Sequence, residues 1–215
     1  MLRPQKIVCV GMNYRDHTSE LGGSLPPEPL LFGKFASTVV GDGGAIVLPP
    51  ESAHVDAEAE LAVVIGKTVR RVPPERALDA VAGYLCANDV TARDLQFGDG
   101  QWTRGKGFDT FCPVGPGDEP VPVSQLGDGS GLRVVQRLNG EVLQDGSTSD
   151  LIFDVRALVA YASNVFTLEP GDLILTGTPA GVGWARDPRV SLRDGDVVEV
   201  EVERIGVLRN PVSAE

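Results

Sequence analysis

The stretch His54-Val55-Asp56-Ala57-Glu58-Ala59-Glu60-Leu61-Ala62-Val63-Val64-Ile65-Gly66-Lys67 decides how this chain reads. Its second half is an unbroken apolar run, the pattern of a strand covered on both faces. Strand side chains alternate faces with a period of two, which would put Asp56, Glu58 and Glu60 on one side. Crowded carboxylates stripped of water cost several kcal/mol each unless a cation compensates. A divalent metal is the natural compensator. The competing reading is an edge strand whose acids face solvent. Asp56 reads as either a ligand or a bystander.

Further strand-like runs lie at Lys6–Val10, Ala45–Leu48, Glu60–Ile65, Leu132–Leu138, Asp172–Thr176 and Asp196–Val202. Turn signals separate them at Gly41-Asp42-Gly43-Gly44, Asn139-Gly140 and Arg193-Asp194-Gly195-Asp196. Asn139-Gly140 between apolar runs is a hairpin signal, because both turn positions need a positive φ. Pro74–Leu85 and Ile152–Asn164 repeat apolar residues at helical spacing, and Arg15–Leu21 can form a turn or two before Gly22-Gly23. The sum is a β-rich α+β fold with strands outnumbering helices. A chain of 215 residues without internal repeat or linker suits one domain.

Composition excludes whole classes of function. Lys and Arg number 19 against 30 Asp and Glu, a formal net charge of -11. Nucleic-acid and anionic-membrane binding need basic patches, so neither is expected. No apolar stretch approaches the roughly 20 residues of a membrane span. Met1–Lys6 leads straight into Ile7-Val8-Cys9-Val10, too short for a signal core and read as a first strand, so no secretory signal is expected and the protein is expected to be cytoplasmic. Cys9, Cys86 and Cys112 are odd in number and lack a CxxC spacing, as expected of reduced, buried thiols. A catalytic thiol is the lesser alternative.

Four more segments carry chemistry. Asp89, in Tyr84–Gln96, stands where an apolar stretch turns polar, as at the mouth of a core. With Glu58 and Glu60 it makes an all-oxygen set suited to hard cations rather than zinc. His17 and Glu20, three residues apart, share one face of a helical turn, and a carboxylate beside an imidazole suits a general base. The competing reading is an exposed helix with incidental charges. Lys106 lies between Gly105 and Gly107, which let the backbone bring its charge close to a developing anion, unless the segment is a surface turn. Leu175–Gly183 could present backbone amides and hydroxyls to an anionic substrate. Gly66-Lys67-Thr68 lacks the upstream glycine of a phosphate loop. His54 has no evident partner and reads as structural.

Together these segments resemble the fumarylacetoacetate hydrolase family over nearly the whole chain. The resemblance runs through Gly11-Met12-Asn13-Tyr14-Arg15-Asp16-His17, Glu58-Ala59-Glu60-Leu61, Asn88–Gln96, Lys106-Gly107-Phe108-Asp109-Thr110, Gln144-Asp145-Gly146-Ser147-Thr148 and Thr176–Gly183. It implies a mixed β-sandwich roll of the family's catalytic-domain type, one catalytic domain over residues 1–215, no separate amino-terminal domain, and a homodimer. It implies Mg²⁺ or Mn²⁺, with Ca²⁺ able to substitute, on Glu58, Glu60 and Asp89, and leaves Asp56 outside the ligand set. It also implies a catalytic pair on His17 and Glu20 in a mobile lid over residues 15–23. Substrate and transition-state contacts fall on Arg93, Gln96, Lys106 and Thr178.

Three carboxylates against one divalent ion leave the site near -1, so Lys106 and Arg93 are needed to balance an anionic substrate. The expected activity is metal-dependent chemistry on a 2-oxo acid or dicarboxylate through a stabilised enolate. Hydrolysis of a carbon–carbon bond in an acylpyruvate stands first. Decarboxylation of a β-keto acid, or isomerisation of a 2-hydroxydienoate in aromatic catabolism, is the alternative. A metal-stabilised protein that binds a small acid without turnover is the non-enzymatic reading.

Overall fold

A computed structural model describes residues 3–215. All six strand-like runs are strands, with ends within one residue of expectation: Ile7–Gly11, Ile46–Leu48, Ala59–Ile65, Arg133–Leu138, Leu173–Leu175 and Val197–Val202. The hairpin forms as read, with Asn139 at φ 52° and Gly140 at φ 85° between the paired Leu138 and Glu141.

An eight-stranded mixed sheet is the frame of the molecule. Its order is Leu30–Lys34, Ile7–Gly11, Leu173–Leu175, Ala59–Ile65, Val81–Asn88, Cys112–Gly115 and Val39–Val40, with Val121–Pro122 also pairing with Val81–Asn88. A five-stranded sheet packs against it, in the order Glu141–Ser147, Arg133–Leu138, Val197–Val202, Gly206–Ala214 and Ile46–Leu48. Most neighbours are antiparallel; Ile7–Gly11 runs parallel to Leu173–Leu175. The fold is strand-rich α+β, with the large sheet curled.

The run Ala59–Ile65 is buried at every residue. Leu61, Val63 and Ile65 face a core shared with Val134, Val200 and Leu158. Ala62 and Val64 face a second cluster with Leu85, Cys112 and Leu173. Burial on both faces is why the run reads as continuously apolar. Among the described residues no helix is long and apolar enough to cross a membrane.

Two expectations are corrected. Pro74–Leu85 is not a helix: Pro74–Ala80 is a 3₁₀ segment, and Val81–Asn88 is a strand between two neighbours in the large sheet. The ladder on both sides outweighs a helical spacing carried only by Ala77, Leu78 and Val81. Nor do the opening acids lie along one strand. Val55–Asp56 pairs with Thr91–Ala92 in a separate ribbon, and the chain rejoins the large sheet at Ala59. Side chains take the ladder's place at the break: Glu58 N donates to Asn88 Oδ1 at 3.0 Å and Ala59 N to Gln144 Oε1 at 2.9 Å. The helix Val155–Val165 begins where Asp154 caps it, accepting from Ala157 N at 2.8 Å.

Candidate functional site

Glu60 is the second residue of its strand, and Glu58 lies just before it. Asp89 follows the end of the adjacent strand Val81–Asn88, held by its N–H donating to Glu58 O at 2.9 Å. Sheet register therefore brings Asp89 to the neighbouring pair Glu58 and Glu60, with one oxygen from each of the three lying within 4.8 Å of the others. All three are buried. This is an all-oxygen tripod of the kind hard divalent cations take.

The electrostatics fit a cation. Burial, then Asp89 and Glu58, push the Glu60 carboxyl well above the usual range, against a 2.6 Å hydrogen bond from Gly177 N. Protonation is the recourse of like charges crowded without a counter-ion, and a bound divalent ion would reverse it. Glu58 behaves oppositely. Burial raises it, but Lys106 and Arg93 outweigh burial and hold it far below the carboxylate range.

Lys106 stands inside the site. Its Nζ donates to Glu58 Oε2 at 3.0 Å, Asp89 Oδ2 at 2.7 Å and Thr91 Oγ1 at 2.8 Å, and lies 5.0 Å from the Phe32 ring centroid. Burial lowers its pKa, yet Asp89 and Glu58 raise it further, so the ammonium stays charged. The flanking glycines do serve a close approach. A Cβ at Gly105 would lie 2.7 Å from Gln96 N and 2.9 Å from Ala92 O, so only glycine lets the turn Thr103–Lys106 nest on the helix Arg93–Asp99.

His17 is buried on the short helix Arg15–Glu20, and its Nδ1 lies 2.9 Å from Glu20 Oε2. Glu20 Oε1 accepts from Gly181 N at 2.8 Å. Burial raises the Glu20 carboxyl, but the bonds from His17 and Gly181 prevail and hold it below its ordinary value. Asn13 pins the preceding loop, donating to Thr176 O at 2.8 Å and Phe153 O at 3.0 Å and accepting from Phe153 N at 2.9 Å. His17, Glu58, Glu60, Asp89, Arg93, Gln96, Lys106 and Thr178 all line one cavity of about 90 Å³, with Met12, Phe32 and Trp102 among its apolar walls. The structure thus brings every sequence-predicted site residue to this cavity, Glu20 through its bond to His17.

Three expectations change. The segment Thr176–Gly183 turns three of its glycine amides to carboxylates of the protein. Gly177 N serves Glu60, Gly181 N serves Glu20, and Gly183 N, with Trp184 N, serves Asp56. The Thr178 hydroxyl, at the cavity wall, donates to Ala59 O at 2.9 Å and accepts from Gln144 Nε2 at 2.7 Å, so its one O–H is committed within the protein and only an acceptor lone pair remains. Asp56 is not a bystander: Arg93 donates to it through Nε and Nη2.

Sequence reasoning missed Lys34. It is fully buried at the end of the strand Leu30–Lys34, with Nζ 2.5 Å from Asp89 Oδ1 and 3.1 Å from Val90 O. A lysine closing the apolar run Leu30-Leu31-Phe32-Gly33 was the available signal. Gln144 was quoted only for its motif, but it ties Ala59 to Thr178 and Pro179 and so sets the strand entry beside Glu58. The thiols are structural as expected. Cys9, Cys86 and Cys112 are free and buried, and burial pushes Cys86 and Cys112 each up to about 12.

A curled, strand-rich α+β frame carries a buried carboxylate tripod at one sheet end, beside a histidine–glutamate pair and a buried lysine, and so defines a candidate hard-cation site within one cavity. Residues 6–213 match the profile of the fumarylacetoacetate (FAA) hydrolase C-terminal domain. The chain belongs to the fumarylacetoacetate hydrolase family. It is 49% identical over 212 residues to the mitochondrial oxaloacetate tautomerase FAHD2A of Bos taurus, covering 98% of this chain and 67% of that protein. A solved 2-hydroxyhepta-2,4-diene-1,7-dioate isomerase from Mycobacterium marinum superposes with a TM-score of 0.88 at 44% identity, covering 100% of this chain and 76% of that one. A fumarylacetoacetate hydrolase from Exiguobacterium antarcticum gives 0.90 at 44%, covering 100% and 76%.

Proposed function

We propose that this chain moves a proton at the carbon beside the carbonyl of a small 2-oxo acid, interconverting its enol and keto forms, with a divalent cation on Glu58, Glu60 and Asp89. The observation that carries this reading is His17, bonded to Glu20 and lining the same cavity as the three carboxylates and Lys106. The names of the tautomerase and isomerase relatives support it. Mg²⁺ or Mn²⁺ suits the all-oxygen set and, when bound, supplies Lewis acidity to the oxygens of the substrate.

The protein's own groups do the rest. Glu20 accepts the Nδ1 proton of His17, which fixes the tautomer whose Nε2 is free to take a proton and return it. Lys106, held cationic by Asp89 and Glu58, serves as a fixed positive charge rather than as a base. Arg93 and Gln96, bonded to each other at 3.1 Å, offer the wall on which a substrate carboxylate is oriented. The segment over residues 15–23 acts as a lid that brings His17 over the substrate. Homodimer assembly and a cytoplasmic location belong to the same proposal.

Hydrolysis of an acylpyruvate is the second reading. An imidazole with its far nitrogen on a carboxylate is equally fitted to deprotonate water, and the Exiguobacterium neighbour bears a hydrolase name. The experiment is enol absorbance of oxaloacetate and of acetylpyruvate, followed with protein plus Mg²⁺ and with protein plus EDTA. Mg²⁺-dependent loss of the oxaloacetate enol, faster than with Mg²⁺ alone, is expected. Cleavage of acetylpyruvate with no effect on the oxaloacetate enol would move the assignment to hydrolysis. Inertness toward both would overturn it.

A further inference from the structure

Asp56 is buried yet stands outside the carboxylate tripod. Its Oδ1 accepts from Ala57 N at 2.9 Å and Gly183 N at 3.0 Å, and its Oδ2 from Trp184 N at 3.0 Å. Oδ2 also accepts from Arg93 Nε at 3.0 Å and Nη2 at 2.9 Å. The same Nη2 lies 2.7 Å from Glu58 Oε1, while Nη1 donates to Gln96 Oε1. Arg93 is thus shared between two carboxylates, and only Glu58 belongs to the tripod.

A guanidinium binds a carboxylate most strongly with two parallel N–H bonds. Here two of its nitrogens are turned to Asp56, and Glu58 receives only one. Glu58 Oε2 already accepts from Lys106. Each Glu58 oxygen thus already meets one cationic N–H, and were Arg93 to swing fully onto Glu58 a second guanidinium N–H would take a further lone pair of that carboxylate.

We propose that Asp56 is a positioning residue that limits the Arg93 guanidinium to a single N–H on Glu58, keeping a lone pair of that carboxylate available to a divalent cation and leaving Nη1, with Gln96, uncommitted to any carboxylate. The inference rests on the reading of Glu58, Glu60 and Asp89 as a cation site. The anchor is rigid, because three backbone N–H groups fix Asp56. Gly183 leaves no slack either: a Cβ there would lie 2.7 Å from Asp56 Oδ1 and 2.2 Å from Val190 O. Asp56 cannot follow Arg93, so Arg93 is held by Asp56.

The test is calorimetric titration of Mg²⁺ into the full chain as wild type, Asp56→Asn, Arg93→Gln and the double variant. Asp56→Asn is expected to weaken Mg²⁺ binding by roughly 10-fold or more, the usual scale for a residue that orients a metal ligand. With Arg93→Gln also present, the loss should vanish, bringing the double variant within about threefold of Arg93→Gln alone. A loss that persists or grows in the double variant marks Asp56 as merely structural and overturns the inference. So does unchanged binding by Asp56→Asn. If that variant fails to fold, Asp56→Glu keeps the charge but displaces it, and the same relief by Arg93→Gln is expected. Wild type that binds neither Mg²⁺ nor Mn²⁺ would overturn the cation-site reading itself, a result distinct from the others.

Discussion

At the scale of single residues, this site turns on which charges are matched and which are left over. His17 leans on Glu20 alone, so His17→Ala and Glu20→Gln should each lower turnover of a 2-oxo acid by roughly 10²–10⁴-fold, the usual worth of a positioned acid–base group. Mg²⁺ affinity should hold in both, since neither residue belongs to the tripod; steady-state rates beside calorimetry check the split. Glu60 is the mismatched charge. With its pKa raised in the folded protein, it holds a proton at pH values where an ordinary carboxylate has lost one. A cation must displace that proton, so Mg²⁺ affinity should fall as pH falls toward the raised value and level off above it. Titrations in buffers of different ionisation enthalpy should then show proton release on binding. Absence of release on the acid side of neutrality contradicts the shift.

Elements explain why such charges meet at all. The strand Ala59–Ile65, the end of Val81–Asn88 and the turn Thr103–Lys106 are each short, and each delivers one or two groups. Gly105 is where two of these pieces touch. Gly105→Ala would drive a methyl against the Gln96 and Ala92 backbone, an overpacking cost of about 1–3 kcal/mol. At roughly 2–4 °C per kcal/mol for a chain of this size, the loss should be visible in a thermal melt. Activity should fall further than stability, because Lys106 is carried away from Asp89. Much of this was legible beforehand. Period-two patterning and turn chemistry located six strands and the hairpin, and the acids with Asp89 pointed to the buried group of carboxylates. The strand Val81–Asn88 was hidden because a short buried apolar run looks alike in either period. Asp56 was misplaced because strand parity fails where side-chain amides of Asn88 and Gln144 replace a ladder. Lys34 carries no motif, and its role exists only through pairing of its strand with Ile7–Gly11.

At the scale of the whole molecule, folding concentrates negative charge in a dry place and compensates it only in part. Lys34, Lys106 and Arg93 face Glu58, Asp89 and Asp56, leaving Glu60 to its neighbours. The metal-free protein should therefore be measurably less stable than the loaded one. At Mg²⁺ concentrations about 100 times the dissociation constant, linkage gives about 2.7 kcal/mol. A melt with EDTA should fall below one with Mg²⁺, and coincident curves would argue against the tripod. The thiols give a separate check on the core. Buried, and with Cys86 and Cys112 raised to about 12, none of the three should react with a thiol reagent at pH 8, and all should react once the chain is denatured.

The glycine-rich segment Thr176–Gly183 has a consequence for how such an enzyme can diversify. Its amides meet Glu60, Glu20 and Asp56 in turn, and Arg186 braces it through Gly181 O and Leu143 O. One inserted or deleted residue there would throw three carboxylates out of register together, whereas the apolar wall at Met12, Phe32 and Trp102 makes no such bonds to them. Substrate range can therefore be rewritten along that wall by ordinary point changes, while the segment itself must be inherited whole.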